Sequence, residues 1–190
     1  MRFVGSVILG LAAVYWTVCL VTLAAYIAQR PRPQTVQAAV GIKDGSVLFW
    51  KDSLLVKPII KHTGSDITHA AIILDGYVYE ATPPRVHKVL LEDYVKEMAT
   101  KTKRSRHGFT YFIVQPKESY GTTEVSAMTK YAESQLGRPY MLRGYGKRIT
   151  RGVFCSELVA DILEKNGRIK SSSFRESPGS LFNKIKDIYQ

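Results

Sequence analysis

Hydrophobic and polar positions divide the chain in two. Residues 3–28, FVGSVILGLAAVYWTVCLVTLAAYIA, carry no charge. A bilayer span needs about 20 apolar residues at roughly 1.5 Å rise each, so this stretch predicts one tilted transmembrane helix. A secretory signal is the competing reading. Its apolar region runs only about 7–15 residues, and no small-residue cleavage site closes this one. A retained anchor over residues 1–28 and a single-pass membrane localisation are therefore expected, with the membrane as a partner. Residues 29–40, QRPRPQTVQAAV, read as a linker in which Pro31 and Pro33 rule out helix. Residues 41–190 remain for one domain, long enough to bury its own core.

Within that domain the period changes from two to that of a helix. SVLFW after Gly45 predicts a strand, and a helix-like stretch with Leu54, Leu55, Ile59 and Ile60 follows, interrupted at Pro58. The β-rich runs Thr68–Leu74 and Tyr77–Ala81 are joined by Asp75-Gly76, the strongest short-range hairpin signal. Residues 85–90 admit a further strand. Leu91–Met98 predicts a helix and Phe109–Pro116 a strand that Pro116 ends. Thr122–Gly137 is amphipathic, with Val125, Met128, Ala132 and Leu136 on one face and Gly137 as its cap. The last long helix starts at Cys155. Its apolar face is Val153, Leu158, Val159, Ile162 and Leu163, and Asn166-Gly167 supplies the stop. SPGSLF starts a final short helix. A β-rich half followed by a helical half predicts an α+β fold.

Charge adds a constraint on partners. The net charge is +11, from 27 Lys and Arg against 16 Asp and Glu. Only Arg2 and Arg30 fall within residues 1–30, so the remainder carries 25 against 16, or +9. That balance suits an anionic surface or polymer. Nucleic acid is not expected. The densest run, Lys101–Arg106, has no interleaved aromatics and reads as a solvated loop. Arg2 on one side and Arg30, Arg32 and Lys43 on the other leave the orientation of the span open. Cys19 and Cys155 stand in such different settings that they form no disulfide framework, and the redox compartment stays open.

Cys155 is the first candidate for chemistry. A thiol in the first turn of a helix lies among unpaired backbone N–H groups at the positive end of the dipole, which favours thiolate. The plain alternative is a small buried apolar residue. A nucleophilic thiol needs a base, and the hairpin offers one. If Asp75-Gly76 is a two-residue turn, Leu74 faces Tyr77, His69 faces Thr82 and Glu80 faces Ala71. His69 and Glu80 are then diagonal neighbours on one face, where a carboxylate fixes the imidazole's tautomer and tilt. The other face carries Ala70, Ile72, Tyr79 and Ala81. His62 and His107 fall in charged loops, and His87 in an exposed-looking basic strand. A zinc site from His69, His87 and Glu80 lacks compact ligand spacing.

Five segments in order, DGSVLFW, THAAIIL, YVYEA, LGRPY and FCSELV, resemble the YiiX-like branch of the NlpC-type papain-fold hydrolases. That branch is circularly permuted, with the histidine strand ahead of the cysteine helix. The resemblance covers Lys43–Ala160. It implies a small antiparallel sheet packed on a cysteine-bearing helix, here preceded by one transmembrane helix. It implies Cys155 as nucleophile, His69 as base and Glu80 as the third polar residue. It also places Tyr140 of the G-x-P-Y motif beside the nucleophile as a pocket-shaping, substrate-binding residue. Glu157 matches the CSE pattern and reads as a helix-start charge, and the Cys155 N–H as the oxyanion donor. The segment Lys96–His107 matches no motif of the branch. The expected activity is acyl transfer or hydrolysis at an amide or ester of a cell-wall peptide or a lipid, without metal or organic cofactor. A non-catalytic, membrane-tethered binding module on the same fold is the alternative.

Overall fold

The computed structural model describes residues 41–51, 64–105, 108–141, 152–170 and 176–190. All of them belong to one compact unit, Val36–Gln190. Five strands form an antiparallel sheet: β1 (Val47–Lys51), β2 (His69–Leu74), β3 (Tyr77–Thr82), β4 (Arg85–Leu90) and β5 (Thr110–Val114). Their order across the sheet is β4-β3-β2-β1-β5. Among the described residues four helices accompany them: α1 (Leu91–Arg104), α2 (Thr122–Ser134), α3 (Cys155–Lys165) and α4 (Pro178–Ile185).

The central hairpin follows from its turn. Asp75 and Gly76 both take positive φ, 50° and 73°, so the two-residue loop twists with its strands. The register is the expected one, with Leu74 opposite Tyr77 and Ile72 opposite Tyr79. The ladder stops at Ile72–Tyr79, so His69–Ala71 run on beyond its end.

Strand alternation sends side chains to two cores, one on each face. Phe49, Ala70, Ile72 and Tyr79 meet Leu158 and Ile162 of α3, with α2 and α4 closing the same side. Leu48, Ala71, Ile73 and Val78 meet Tyr94 and Met98 of α1. Leu158 and Tyr94 are almost wholly buried. Burying a side chain of that size contributes about 1.5–3 kcal/mol, and truncating Leu158 to alanine costs roughly 2–5 kcal/mol once the cavity is included.

Two sequence expectations are corrected here. The KTKR run is not a loop but the last turn of α1, which extends to Arg104. Lys101, Lys103 and Arg104 complement the negative end of the helix dipole, and Lys101 pairs with Glu97 one turn back at 2.8 Å. The membrane-spanning helix, and with it the single-pass localisation, is also corrected. Among the described residues no helix is long and apolar enough to cross a membrane. The longest, α1, has 14 residues and an amphipathic sequence, against the about 20 apolar residues of a span. Residues 3–28 themselves, the linker 29–40 and the stretch from Leu54 to Ile60 lie outside the described residues.

Gly45 ties the sheet to the far end of the chain. Its φ is +81°, and a Cβ there would collide with the Tyr120 ring. Its N–H donates to the Ile73 carbonyl at 2.8 Å, and its carbonyl accepts from the Tyr189 hydroxyl at 2.8 Å. Gly45→Ala should therefore destabilise the domain by about 2 kcal/mol or more, read as a lower urea midpoint at unchanged slope. An unchanged midpoint would show that Tyr120 moves aside and the backbone tolerates the side chain.

Candidate active site

Cys155 opens α3 at the first helical position after Phe154. The Glu157 carboxylate reaches back to the Phe154 N–H at 3.4 Å, which makes it a helix-start group as its position implies. Ser156 donates from its buried hydroxyl to the Glu176 carbonyl at 2.6 Å and so anchors the same turn. The approach to the helix is held by a short crossing of chain. Tyr140 bridges Val153, and Arg85 bridges Pro139. Met141 N–H donates to the Val153 carbonyl at 3.0 Å, and Val153 N–H to the Pro139 carbonyl at 2.9 Å. The two backbones run so close that a Cβ on Gly152 would stand 2.6 Å from that of Met141. LGRPY thus links the start of β4 to the start of α3.

His69 and α3 approach the sheet from different sides, since His69 shares its face with Ala71 and Ile73 and α3 packs on the other. They meet because the β2–β3 ladder has already ended. The opening admits the helix N-terminus, and the Cys155 thiol hydrogen-bonds to the His69 ring and accepts from the backbone N–H groups of Ala70 and Ser156. His69 Nε2 donates to Glu80 Oε2 at 2.9 Å, which leaves Nδ1 for the thiol. Cys155, His69 and Glu80 are 5%, 7% and 5% exposed, so the chain of three lies out of water.

The surroundings fix each member. Trp50, directly across from His69 on β1, stacks on the imidazole with centroids 4.1 Å apart at 30°. The Tyr94 hydroxyl of α1 donates to Glu80 Oε2 at 2.8 Å. His87 Nε2 stands 3.1 Å from Glu80 Oε1. Tyr140 is half-buried near the thiol, where burial and the Cys155 charge both push its phenol up. The four sequence-derived site residues therefore lie together. Trp50, Tyr94 and His87 join them without having been expected from the sequence. The turn after Thr82 holds a signal for one of them. Thr82 opposite Arg85 sets Glu80 directly opposite His87 by the same counting used at Asp75-Gly76.

Charge follows from this packing. Burial pushes the Cys155 thiol up. The His69 charge, the hydrogen bond to it and the two backbone N–H groups outweigh that, and the thiol lies below its ordinary value. Burial disfavours charge on His69, yet Cys155 and Glu80 raise its pKa from 6.5 to about 9. Burial likewise opposes ionisation of Glu80, but donors on His69 and Tyr94 and the nearby His87 hold it below the usual carboxylate range. All three shifts favour the ionised forms, a thiolate and an imidazolium steadied by a carboxylate.

No known family model matches the chain, and no curated protein does either. Among solved structures it is similar to the metalloprotein YiiX from Escherichia coli O157:H7, with a TM-score of 0.51 and 20% identity. The likeness covers 66% of this chain and 66% of that one, so this chain matches just under two thirds of the YiiX chain's length. The fold is YiiX-like, a small antiparallel sheet with helices in the α+β class.

A stability measurement reads the shifts. His69's folded pKa is raised above its ordinary 6.5, so its contribution is complete below 6.5 and is lost as pH rises through about 9. Glu80 is lowered, so its contribution is present above the ordinary carboxylate value and is lost as acid titrates it. The urea midpoint of the wild type relative to His69→Gln should fall on raising the pH through that upper window. A constant difference between the two proteins would show that His69 carries no stabilising charge.

Proposed function

We propose that this chain is a thiol hydrolase or acyl transferase in which Cys155 is the nucleophile, His69 the general acid and base, Glu80 the residue that orients His69, and Tyr140 a wall of the substrate pocket. The observation that carries the reading is the buried hydrogen-bonded series from Cys155 through His69 to Glu80. These residues come from sequence positions 155, 69 and 80, so no local constraint assembles them. A structural core would gain nothing from burying three ionisable groups, whose desolvation costs several kcal/mol each unless paired.

In the proposed cycle the Cys155 thiolate attacks the carbonyl carbon of an amide or ester, forming an S–C bond and an oxyanion. First-turn N–H groups of α3, Cys155 among them, face the developing charge. As the oxyanion collapses, the C–N or C–O bond breaks and the proton on His69 passes to the leaving amine or alcohol. A water or acceptor hydroxyl then gives its proton back to His69 and attacks the thioester, releasing the acyl group and restoring the thiolate. Glu80 keeps Nε2 protonated throughout and so presents Nδ1 to the thiol. The substrate class we infer is a peptide amide or a lipid ester, and the net positive charge suits an anionic polymer or surface around it. YiiX is described as a metalloprotein. In this chain Glu80 stands between the two imidazoles with each oxygen taken by a ring nitrogen, and no group of three metal-binding side chains occurs among the described residues. Those residues do not fit a metal, and no step is routed through one.

The binding-module reading has one observation in its favour, the 5% exposure of Cys155. Product analysis separates the two. On panels of peptide amides and lipid esters, Cys155→Ala should abolish turnover while leaving the unfolding transition in place. His69→Ala should lower kcat by about a thousandfold or more, and Glu80→Gln by less, since it acts only through the base. Binding that persists with no product from wild type or variants would establish a module instead.

A further inference from the structure

His87 lies outside the proposed triad, yet it is built into it. It stands opposite Glu80 in the β3–β4 register, with Nε2 3.1 Å from Oε1. Its Nδ1 lies 3.3 Å from the carbonyl of Arg85. Both partners of the ring are acceptors: an ionised carboxylate and a backbone carbonyl. A neutral imidazole has one N–H and donates to one of them, and a protonated ring donates to both. Its side chain is 40% exposed, whereas that of Glu80 is 7% exposed. His87 is thus a solvent-reachable group attached to a buried carboxylate whose other oxygen already receives His69 and Tyr94.

We propose that His87 is a positioning residue for the Cys155–His69 pair and acts through Glu80. This rests on the thiol-hydrolase reading above. A carboxylate held at one oxygen pivots about that contact, whereas one held at both has a fixed plane. His87 supplies the second point, so Glu80 Oε2 stays on His69 Nε2 and Nδ1 stays aimed at the thiol. The groups that face the contact are His69 from β2, Tyr94 from α1 and Arg85 on its own strand, with Cys155 behind His69. No other described side chain offers a donor to Glu80 Oε1.

The test needs no substrate. The full chain is alkylated with iodoacetamide across the pH range, and mass spectrometry reads the label on the Cys155 peptide, apart from Cys19. Wild type, His69→Ala, His87→Ala and His87→Gln are compared. Removing the donor should slow Cys155 labelling near neutral pH by about threefold to fivefold, the scale of a half-exposed charged contact, and move the acid limb of the profile upward. His87→Gln keeps an amide donor at the same position and should restore most of the rate. If His87→Ala superimposes on wild type while His69→Ala is slow and flat, His87 does not position the pair. A glutamine variant as slow as the alanine one would overturn the proposal equally. If His69→Ala itself matches wild type, the thiol is not activated and the hydrolase reading fails with it.

Discussion

A carboxylate kept ionised inside the sheet is the constraint on which the rest of the site depends. Glu80 is 5% exposed, and removing such a group from water costs several kcal/mol unless hydrogen bonds replace its hydration. Hydrogen bonds from His69 and Tyr94 do so, with His87 Nε2 3.1 Å from the other oxygen. They come from β2, α1 and β4, so the charge is satisfied only when the sheet and α1 are assembled together. The same bonds set direction. One oxygen receives His69, which fixes the tautomer of the ring and leaves its other nitrogen for Cys155. Deleting one donor would leave the others with a partly unpaired charge, so their contributions are not additive.

The second requirement is topological. The ladder between β2 and β3 ends three residues short of the start of β2, and the N-terminus of α3 occupies the space so opened. A helix packed against one face thereby reaches a histidine that belongs to the other. The N–H of Ala70 and the first-turn N–H of Ser156 converge on the sulfur. Fully paired strands would have screened the thiol from the imidazole. The crossing segment from Gly137 to Met141 then holds the approach to α3 in place, with Gly152 allowing the two backbones to touch.

Much of this is legible along the chain, for a local reason. Asp75-Gly76 fixes a two-residue turn, the turn fixes the register, and the register sets His69 beside Glu80 on one face. The helix of Cys155 follows from its apolar spacing, and the order of motifs points to the YiiX-like fold. What local pattern does not supply is non-local. Trp50 stacks on His69 only because β1 pairs with β2, and Tyr94 reaches Glu80 only because α1 packs on that face. His87 is set aside in the sequence because a strand of alternating basic residues reads as a solvated edge and its spacing to His69 and Glu80 suits no metal. The full extent of α1 escapes it because a basic run without apolar residues looks like a loop, although it suits a helix C-terminus. The uncharged run at residues 3–28 reads as a span from length alone, and no described helix has the length and apolarity of one.

The central claim is that Cys155 and His69 form an ion pair steadied by Glu80. Thiolate absorbs in the ultraviolet where thiol does not, so a titration of the full chain against Cys155→Ala reads the charge on this sulfur directly. The account predicts that the midpoint of the difference absorbance lies below the ordinary thiol range of about 8.5, and that Glu80→Gln moves that midpoint upward. A difference absorbance that rises only at the ordinary thiol value, alike in wild type and Glu80→Gln, would contradict it.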